Sequence, residues 1–228
     1  MAVIIQDGLR RMVKEQEDVF YYITLMNENY AHPALPAGDG AREGIVKGMY
    51  KLTDGGESQS KKAGPRVQLL GSGVILREVI AAAELLKTDW GVTSDIWSCP
   101  SFNELGREGR AVTRWNMLHP TEKQRVSWVS QQLAGTKGPI IASTDYVREF
   151  ADQIRELVPR RYTVLGTDGF GRSDSRKNLR RFFEINRFYV AVAALKALAD
   201  DGEVPAAKVA EAIKKYDIDA EKPAPWTV

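Results

Sequence analysis

The sequence predicts an α/β fold: an open, mostly parallel sheet with helices on both faces, preceded by the tail of a second α/β domain. Two observations predict it. From residue 67 onward, short apolar runs alternate with segments of helical length that carry an apolar face. Before residue 67 lies a polar stretch without apolar periodicity, which is typical of a linker. The 228 residues suffice for one large domain or for one domain and a fragment of another.

The composition limits the class of protein. Hydrophobic residues make up 43% and charged residues 27%, as in soluble globular proteins. The net charge of +2 provides no global field to attract nucleic acid or a membrane surface. A single cysteine, Cys99, excludes an internal disulfide framework, and neither a bilayer-spanning run nor a signal peptide is recognisable. We expect a cytoplasmic protein.

The N-terminal part is predicted to hold two strands. Residues 2–5 form an apolar run that predicts a buried strand, and residues 19–25 are rich in aromatic and β-branched side chains. A short helix is predicted over 9–14, and prolines and glycines predict a loop over 27–40. Because the chain would open in the middle of a strand, we expect it to be a piece of a longer protein.

The domain division follows the change in composition. We predict that residues 1–54 are the remnant of one domain, that 55–66 are a linker, and that 67–228 form a second domain. Predicted strands lie at 67–70, 95–98, 139–142 and 162–165. Predicted helices lie at 75–90, 122–133, 146–158 (capped by Thr144 or Asp145), 176–183, 187–198 and 205–216.

The turn Gly71-Ser72-Gly73 lies between a predicted strand and a predicted helix. Free amides at a helix N-terminus favour phosphate, so a dinucleotide site is one interpretation. The third glycine of that fingerprint would fall at Leu76, however, and no clear acid ends the next strand. A tight strand-to-helix turn is therefore favoured.

His32 and His119 each precede a proline in a loop-like segment. Neither has the spacing to Cys99 or to carboxylates that a metal site needs, and no nucleophile elbow accompanies them. Structural roles are favoured for both histidines.

The run from Gly166 to Arg176 is the strongest functional candidate. A hydrophobic core does not require three glycines, two acids and two arginines in one stretch, whereas a surface loop with a fixed role does. One of the polar residues at 173–175 is expected to cap the following helix. The candidate interface residues are Asp168, Gly169, Gly171, Arg172, Ser173, Asp174 and Arg176.

Basic residues cluster around this loop. Arg176 with Arg180, and Lys177 with Arg181, are like-charge pairs four residues apart that disfavour an isolated helix. They need acids from elsewhere in the protein or an anionic partner, and intramolecular ion pairs are favoured.

Several stretches together resemble one known family. They are Ile5–Gly8, Asn27–Tyr30, Gln68–Gly73, Arg114–Pro120, Ala142–Tyr146 and Val164–Arg176. The chain resembles the C-terminal part of the homodimeric pyruvate dehydrogenase E1 component, a thiamine-diphosphate enzyme of the transketolase superfamily. This resemblance implies that residues 1–54 end the pyrimidine-binding domain and that 67–228 are a transketolase-type C-terminal domain.

The resemblance also implies a parent reaction. The parent enzyme, an oxidoreductase complex component linking glycolysis to the citrate cycle, decarboxylates pyruvate on thiamine diphosphate and Mg²⁺. It then acetylates the lipoyl group of the E2 acetyltransferase. The diphosphate-binding domain, its magnesium motif, the activating glutamate and the active-site histidines lie upstream in the family. We therefore expect no catalytic, cofactor-binding or metal-binding residue in this chain, and no activity or cofactor binding by the chain alone.

The implied partners are the remaining E1 domains, a second E1 subunit and E2, without nucleic acid or membrane. Two alternatives stay open. The chain could be a self-contained α/β nucleotide-binding module, or an interaction module for an acidic partner. The abrupt N-terminal run and the absence of cofactor motifs favour the E1 interpretation.

Overall fold

The computed structural model describes residues 1–56 and 64–228, so most of the predicted linker 55–66 lies outside the described residues. The strands are β1 (Tyr50–Thr53), β2 (Arg66–Gly71), β3 (Thr93–Ser98), β4 (Ile140–Ser143) and β5 (Tyr162–Leu165). The helices are α1 (Ala2–Leu9), α2 (Asp39–Lys47), α3 (Leu76–Trp90), α4 (Phe102–Leu118), α5 (Trp128–Ala134), α6 (Arg148–Asp152), α7 (Arg176–Phe182), α8 (Arg187–Asp200) and α9 (Ala206–Lys215).

The described strands form one five-stranded sheet in the order β1-β3-β2-β4-β5. The pairs β2–β3, β2–β4 and β4–β5 are parallel, and β1 is antiparallel to β3. The predicted open, mostly parallel sheet is confirmed. The chain passes from β2 to β3 on one side and then to β4 on the other, so the topological switch point lies between the carboxyl ends of β2 and β4.

Helices cover both faces of the sheet, as predicted. On one face, α3, α8 and α9 pack through an apolar cluster that includes Leu69 of β2. On the other face, α4, α5 and residues 151–154 pack through a second cluster that includes Leu70. Since neighbouring strand residues point to opposite faces, Leu69 and Leu70 anchor the two clusters from one central strand.

The prediction of an N-terminal strand was wrong, because residues 2–5 lie within α1. Four apolar residues in a row fit a strand or a helix equally well. Here the helix is stabilised by Asp7, which accepts a 2.7 Å hydrogen bond from Arg10 one turn later.

The predicted strand at 19–25 is also absent from the structure, which shows no regular element there. This segment is held by a side chain instead of a strand ladder. The Tyr21 ring lies against Gly8, and its hydroxyl donates to the Asp7 carboxylate. Phe20 and Tyr22, which flank Tyr21, are 85% and 87% exposed.

The longest helix, α4, was not predicted, although the sequence carries its signal. Ser101 caps the helix by accepting a 3.1 Å hydrogen bond from the backbone N–H of Glu104, the spacing of a capping box. The helix predicted at 122–133 was too long at its N-terminus. It begins only at Trp128, with Ser127 as its cap.

The helix predicted over 146–158 is broken into α6 and a 3₁₀ turn at Arg155–Leu157. Neither Thr144 nor Asp145 caps it. Thr144 Oγ1 instead accepts a 3.2 Å bond from the N–H of Tyr146 in the preceding turn. The first N–H of α6, that of Arg148, donates to Asp168 at 3.0 Å. A carboxylate twenty residues away in sequence thus satisfies the helix start.

Candidate interface site

The carboxyl edge of the sheet at the switch point is closed by a tight turn. The Ser72 hydroxyl donates to Thr144 Oγ1 at 2.8 Å and joins the ends of β2 and β4. A Cβ atom on Gly71 would lie 2.8 Å from the Cα of Leu76, so strand and helix approach too closely for any side chain there. The glycine turn thus has the packing role that was favoured from the sequence.

The N-terminal segment lies over this edge. Tyr30 packs against a cluster formed by Val74, Ile75, Phe183 and Ile185. Thr24, six residues earlier, accepts a 2.9 Å hydrogen bond from the Tyr146 hydroxyl. In open α/β sheets, ligands usually bind in the crevice at this position. Here Thr24 and Tyr30 of the chain itself contact residues that follow β2 and β4.

A buried carboxylate, Glu78, organises the same edge. Glu78 is 5% exposed and accepts three hydrogen bonds from Arg187: one from its backbone N–H at 3.0 Å, and two from its guanidinium at 2.9 and 3.1 Å. Arg180 Nη1 lies 3.4 Å away, and Arg180 Nη2 lies 3.4 Å from the Tyr30 hydroxyl. The three helices α3, α7 and α8 therefore meet at one negative charge.

The electrostatics of Glu78 follow from two opposed effects. Burial disfavours the ionised carboxylate, but the hydrogen bonds from Arg187 and the charge of Arg180 outweigh it and lower the pKa of Glu78. Glu78 is therefore ionised at neutral pH and holds both arginines in place.

The first half of the candidate loop faces Arg148 and the end of the chain. The Asp168 carboxylate forms an ion pair with the Arg148 side chain in addition to the backbone bond described above. Gly169 has a φ of +107° and lies against Pro225 and Trp226. Gly171 has open space around it.

The second half of the loop faces α7 and the N-terminal segment. The Arg172 guanidinium lies 4.1 Å from the centroid of the Phe182 ring. Asp174 accepts a 2.9 Å bond from the Asn178 side chain. Ser173 is exposed and lines a small open pocket of about 240 Å³ beside Arg172.

Of the three candidate caps at 173–175, Ser175 caps α7, because its hydroxyl accepts from the N–H of Asn178 at 3.3 Å. Arg176 then points to the N-terminal segment, where it donates to Asn27 at 2.6 Å and forms an ion pair with Glu28. The loop is thus brought together with residues 27–28, which sequence reasoning had not paired with it.

Intramolecular partners account for much of the basic cluster. Arg161 pairs with Asp201 at 2.7 Å, and Arg181 pairs with Asp217 at 3.0 Å. Arg180 and Arg187 share Glu78. The prediction of intramolecular ion pairs is confirmed for these four arginines.

His119 has the structural role predicted for it. Its ring stacks on Trp115 with centroids 4.4 Å apart, and its Nδ1 lies 2.8 Å from the Trp115 carbonyl oxygen. Within residues 1–56 and 64–228, no three His, Cys, Asp or Glu side chains are grouped as a metal site. No helix in this part of the chain has the length and hydrophobicity to cross a membrane.

The buried carboxylate at the carboxyl edge, Glu78, does not fit as a ligand of Mg²⁺. A diphosphate–magnesium site requires oxygen ligands free to bind the cation. The buried carboxylate here, Glu78, is already bonded to Arg187.

Comparison with known proteins places this geometry in a family. The sequence model of the transketolase-like C-terminal domain matches residues 48–186. The chain belongs to the transketolase-like C-terminal domain family. A second model, for the middle domain of the pyruvate dehydrogenase E1 component, matches residues 1–33.

Curated relatives match along the whole of this transketolase-like chain. The pyruvate dehydrogenase E1 component of Cupriavidus necator is 64% identical over all 228 residues, and that of Pseudomonas aeruginosa is 60% identical over 97% of the chain. The Escherichia coli protein of that name is 55% identical over 97%. The resemblance seen in the motifs is confirmed. The chain spans about a quarter of each relative: 25%, 25% and 24% of their lengths.

A solved transketolase from Campylobacter jejuni aligns with 73% of this chain and 20% of its own, at 17% identity and a TM-score of 0.45.

Replacing Glu78 by glutamine is expected to lower the free energy of unfolding of the chain by about 1–3 kcal/mol, because Arg187 loses its buried charged acceptor. The folded-state pKa of Glu78 lies below its ordinary value of 4.5. Its stabilising effect is therefore full above pH 4.5 and disappears as the pH falls through the folded-state pKa. Urea unfolding between pH 3 and 7 should show the free energies of unfolding of wild type and Glu78→Gln converging at the acid end.

The control is Glu84→Gln, an exposed position on the same helix. Equal decreases in the free energy of unfolding of the two variants would contradict the role given to Glu78.

Proposed function

We propose that this chain is the C-terminal part of a pyruvate dehydrogenase E1 component and that it supports the assembly of that enzyme without supplying its chemistry. The observation that carries the proposal is the 64% identity, over the whole chain, to the Cupriavidus necator protein of that name. In this proposal the N-terminal residues end the pyrimidine-binding domain, and the C-terminal domain begins at β1, which pairs with β3 in its sheet and lies within the span of its family model. The linker expected at 55–66 then lies inside that domain, between β1 and β2.

The parent enzyme would decarboxylate pyruvate on thiamine diphosphate with Mg²⁺ in the cytoplasm. It would then pass the acetyl group to the lipoyl group of E2. The cofactor supplies the carbanion chemistry when it is bound by the other E1 domains. The role of this chain's own residues is to hold the carboxyl edge and its loop in one geometry against those domains and the second subunit.

The surface of the chain supports such a role. Apolar and aromatic residues enriched in protein interfaces are exposed on the segment matched by the E1 middle-domain model. Phe20 and Tyr22 are almost fully exposed, and Ile5 and Leu9 form an exposed stripe on α1. Burial of this surface by the remaining E1 chain would remove a large apolar area from water.

The loop from Gly166 to Arg176 supplies the charged part of the proposed interface. Within the described residues, the Arg172 guanidinium has an aromatic neighbour and no carboxylate partner. A guanidinium with free donors can bind a carboxylate of another domain through two hydrogen bonds. Arg176, in contrast, is already engaged with Glu28.

A chimera tests the proposed function. The matching quarter of the Cupriavidus necator E1 component is replaced by this chain, and pyruvate turnover, lipoyl acetylation and subunit association are measured. We expect an active dimer, because 64% of the positions are identical to those of the segment that is replaced. The same enzyme with the segment deleted should lose its dimer and its turnover. A chimera that folds, judged by circular dichroism, yet stays monomeric and inactive would contradict the proposal.

Within that chimera, Arg172→Ala is expected to weaken dimer association about tenfold, or about 1.4 kcal/mol, and to lower turnover. The physical reason is the loss of the proposed charged contact across the interface. Thermal melting should change little, since the Arg172 side chain makes few contacts within the chain. Lys177→Ala, at an exposed basic position on the adjacent helix, serves as the matched control. If turnover and dimer affinity stay at the unsubstituted level while only melting shifts, the interface role of Arg172 is wrong.

A further inference from the structure

The last residues of the chain contact the start of the candidate loop and the C-terminal end of α7, the helix that follows the loop. Near the start of the loop, a Cβ atom on Gly169 would lie 2.5 Å from the Pro225 carbonyl oxygen and 3.0 Å from the Trp226 Cα. The positive φ of Gly169 and this close approach together leave no room for another residue. The backbones of the loop and of the chain end are therefore in direct contact.

Arg148 joins the two backbones from the side. Its guanidinium pairs with Asp168 in the loop, and the guanidinium carbon lies 4.6 Å from the centroid of the Trp226 ring. One cation thus satisfies a carboxylate and stacks on an aromatic face. The loop backbone is also fixed to the same region by the N–H of Thr167, which donates to the Tyr146 carbonyl oxygen at 2.8 Å.

The chain end has a second anchor beyond the loop. Lys222 donates to the Phe182 carbonyl oxygen at 2.8 Å and pairs with Glu184 at 3.0 Å. These acceptors lie at the C-terminal end of α7, which follows the loop. Between the two anchors, Pro225 is buried and begins a 3₁₀ turn closed by the Thr227 N–H on the Ala224 carbonyl oxygen at 2.9 Å.

We propose that residues 222–226 act as a strap that positions the tip of the candidate loop, residues 170–175. The strap is anchored on one side at Gly169 and Arg148 and on the other side at the end of α7. The tip between them is exposed: Phe170 is 79% accessible, and Arg172 is exposed as well. Two fixed ends restrict the conformations that a short tip can adopt.

The strap would set the conformation of the loop that the proposed function assigns to the interface. Its effect on turnover therefore rests on that proposed function. If Trp226 moved away, Gly169 would lose its contact with the chain end. Arg148 would then keep its ion pair with Asp168 and lose its aromatic neighbour. The tip would then sample more conformations, and a partner that binds Arg172 would have to order it at an entropic cost. The strap itself is a property of this chain and can be measured without the rest of the enzyme.

Hydrogen exchange on the full 228-residue chain, followed by mass spectrometry, tests the strap. Trp226→Ala is expected to speed exchange at residues 170–175 roughly fivefold, while β5 and α8 stay unchanged. Lys222→Met removes the second anchor and should have the same effect on the same residues. Val228→Ala, beyond the strap at a half-exposed position, is the matched control and should change nothing at the loop.

Unchanged exchange at 170–175 in both strap variants overturns the proposal, even if the chain end itself exchanges faster. Faster exchange at the tip in both variants, with Val228→Ala unaffected, supports it. In the chimera, Trp226→Ala should lower turnover and dimer affinity together. An unsubstituted chimera that is inactive overturns the proposed function and leaves the exchange result, and therefore the strap, standing.

Discussion

The arrangement of the carboxyl edge depends on the buried charge of Glu78. A carboxylate at this depth is tolerated only with cationic hydrogen-bond donors around it. The Arg187 guanidinium provides two such bonds, and the Arg187 backbone N–H adds a third hydrogen bond. Because Arg180 belongs to α7 and Arg187 begins α8, the same charge holds the C-terminal half of α7 and the start of α8 against α3. The loop between β5 and α7 leads directly into α7. Glu78 on α3 therefore also positions the C-terminal end of this loop, through its contact with Arg180 on α7. Tyr30 extends this constraint to the N-terminal segment through Arg180.

This constraint supports the proposal that the carboxyl edge at the switch point is an interface. Thr24 and Tyr30 contact the residues that follow β4 and β2, and the buried carboxylate at this edge is already bonded to arginines. What the edge presents outward is a glycine-rich loop with the exposed side chains of Phe170 and Arg172. Aromatic and arginine residues on a fixed scaffold are the composition of an interaction surface.

Sequence alone predicted the parts of the fold that depend on local pattern. The strand β2 and the helix α3 were predicted correctly because apolar periodicity and a glycine turn are visible within a short stretch of sequence. The short run at residues 2–5 was assigned wrongly because four apolar residues carry no period. The helix α4 carries a local start signal, Ser101 followed three residues later by Glu104, although its long, mostly polar sequence was not predicted as a helix.

The candidate site was predictable in its residues and not in its partners. The loop from Gly166 to Arg176 was identifiable from composition, and Ser175 as one of the possible caps. The contacts that define the site join Glu78 to Arg180 and Gly169 to Pro225, pairs far apart along the chain. No local pattern encodes such a pair, because it arises only when β2 and β5 are placed in one sheet. The strap and the Glu78 centre therefore required the folded structure.

The central claim is that the carboxyl edge at the switch point is an interface closed by the chain itself. It is tested most directly by ¹H–¹⁵N spectra of the labelled chain during titration with thiamine diphosphate and Mg²⁺, and separately with NAD⁺ and ATP. The account predicts that the amide signals of residues 71–76 and 144–146 keep their positions in all three titrations. A saturable shift of those signals with any of the three would show that the edge is open to a phosphate-bearing ligand, and would contradict the account.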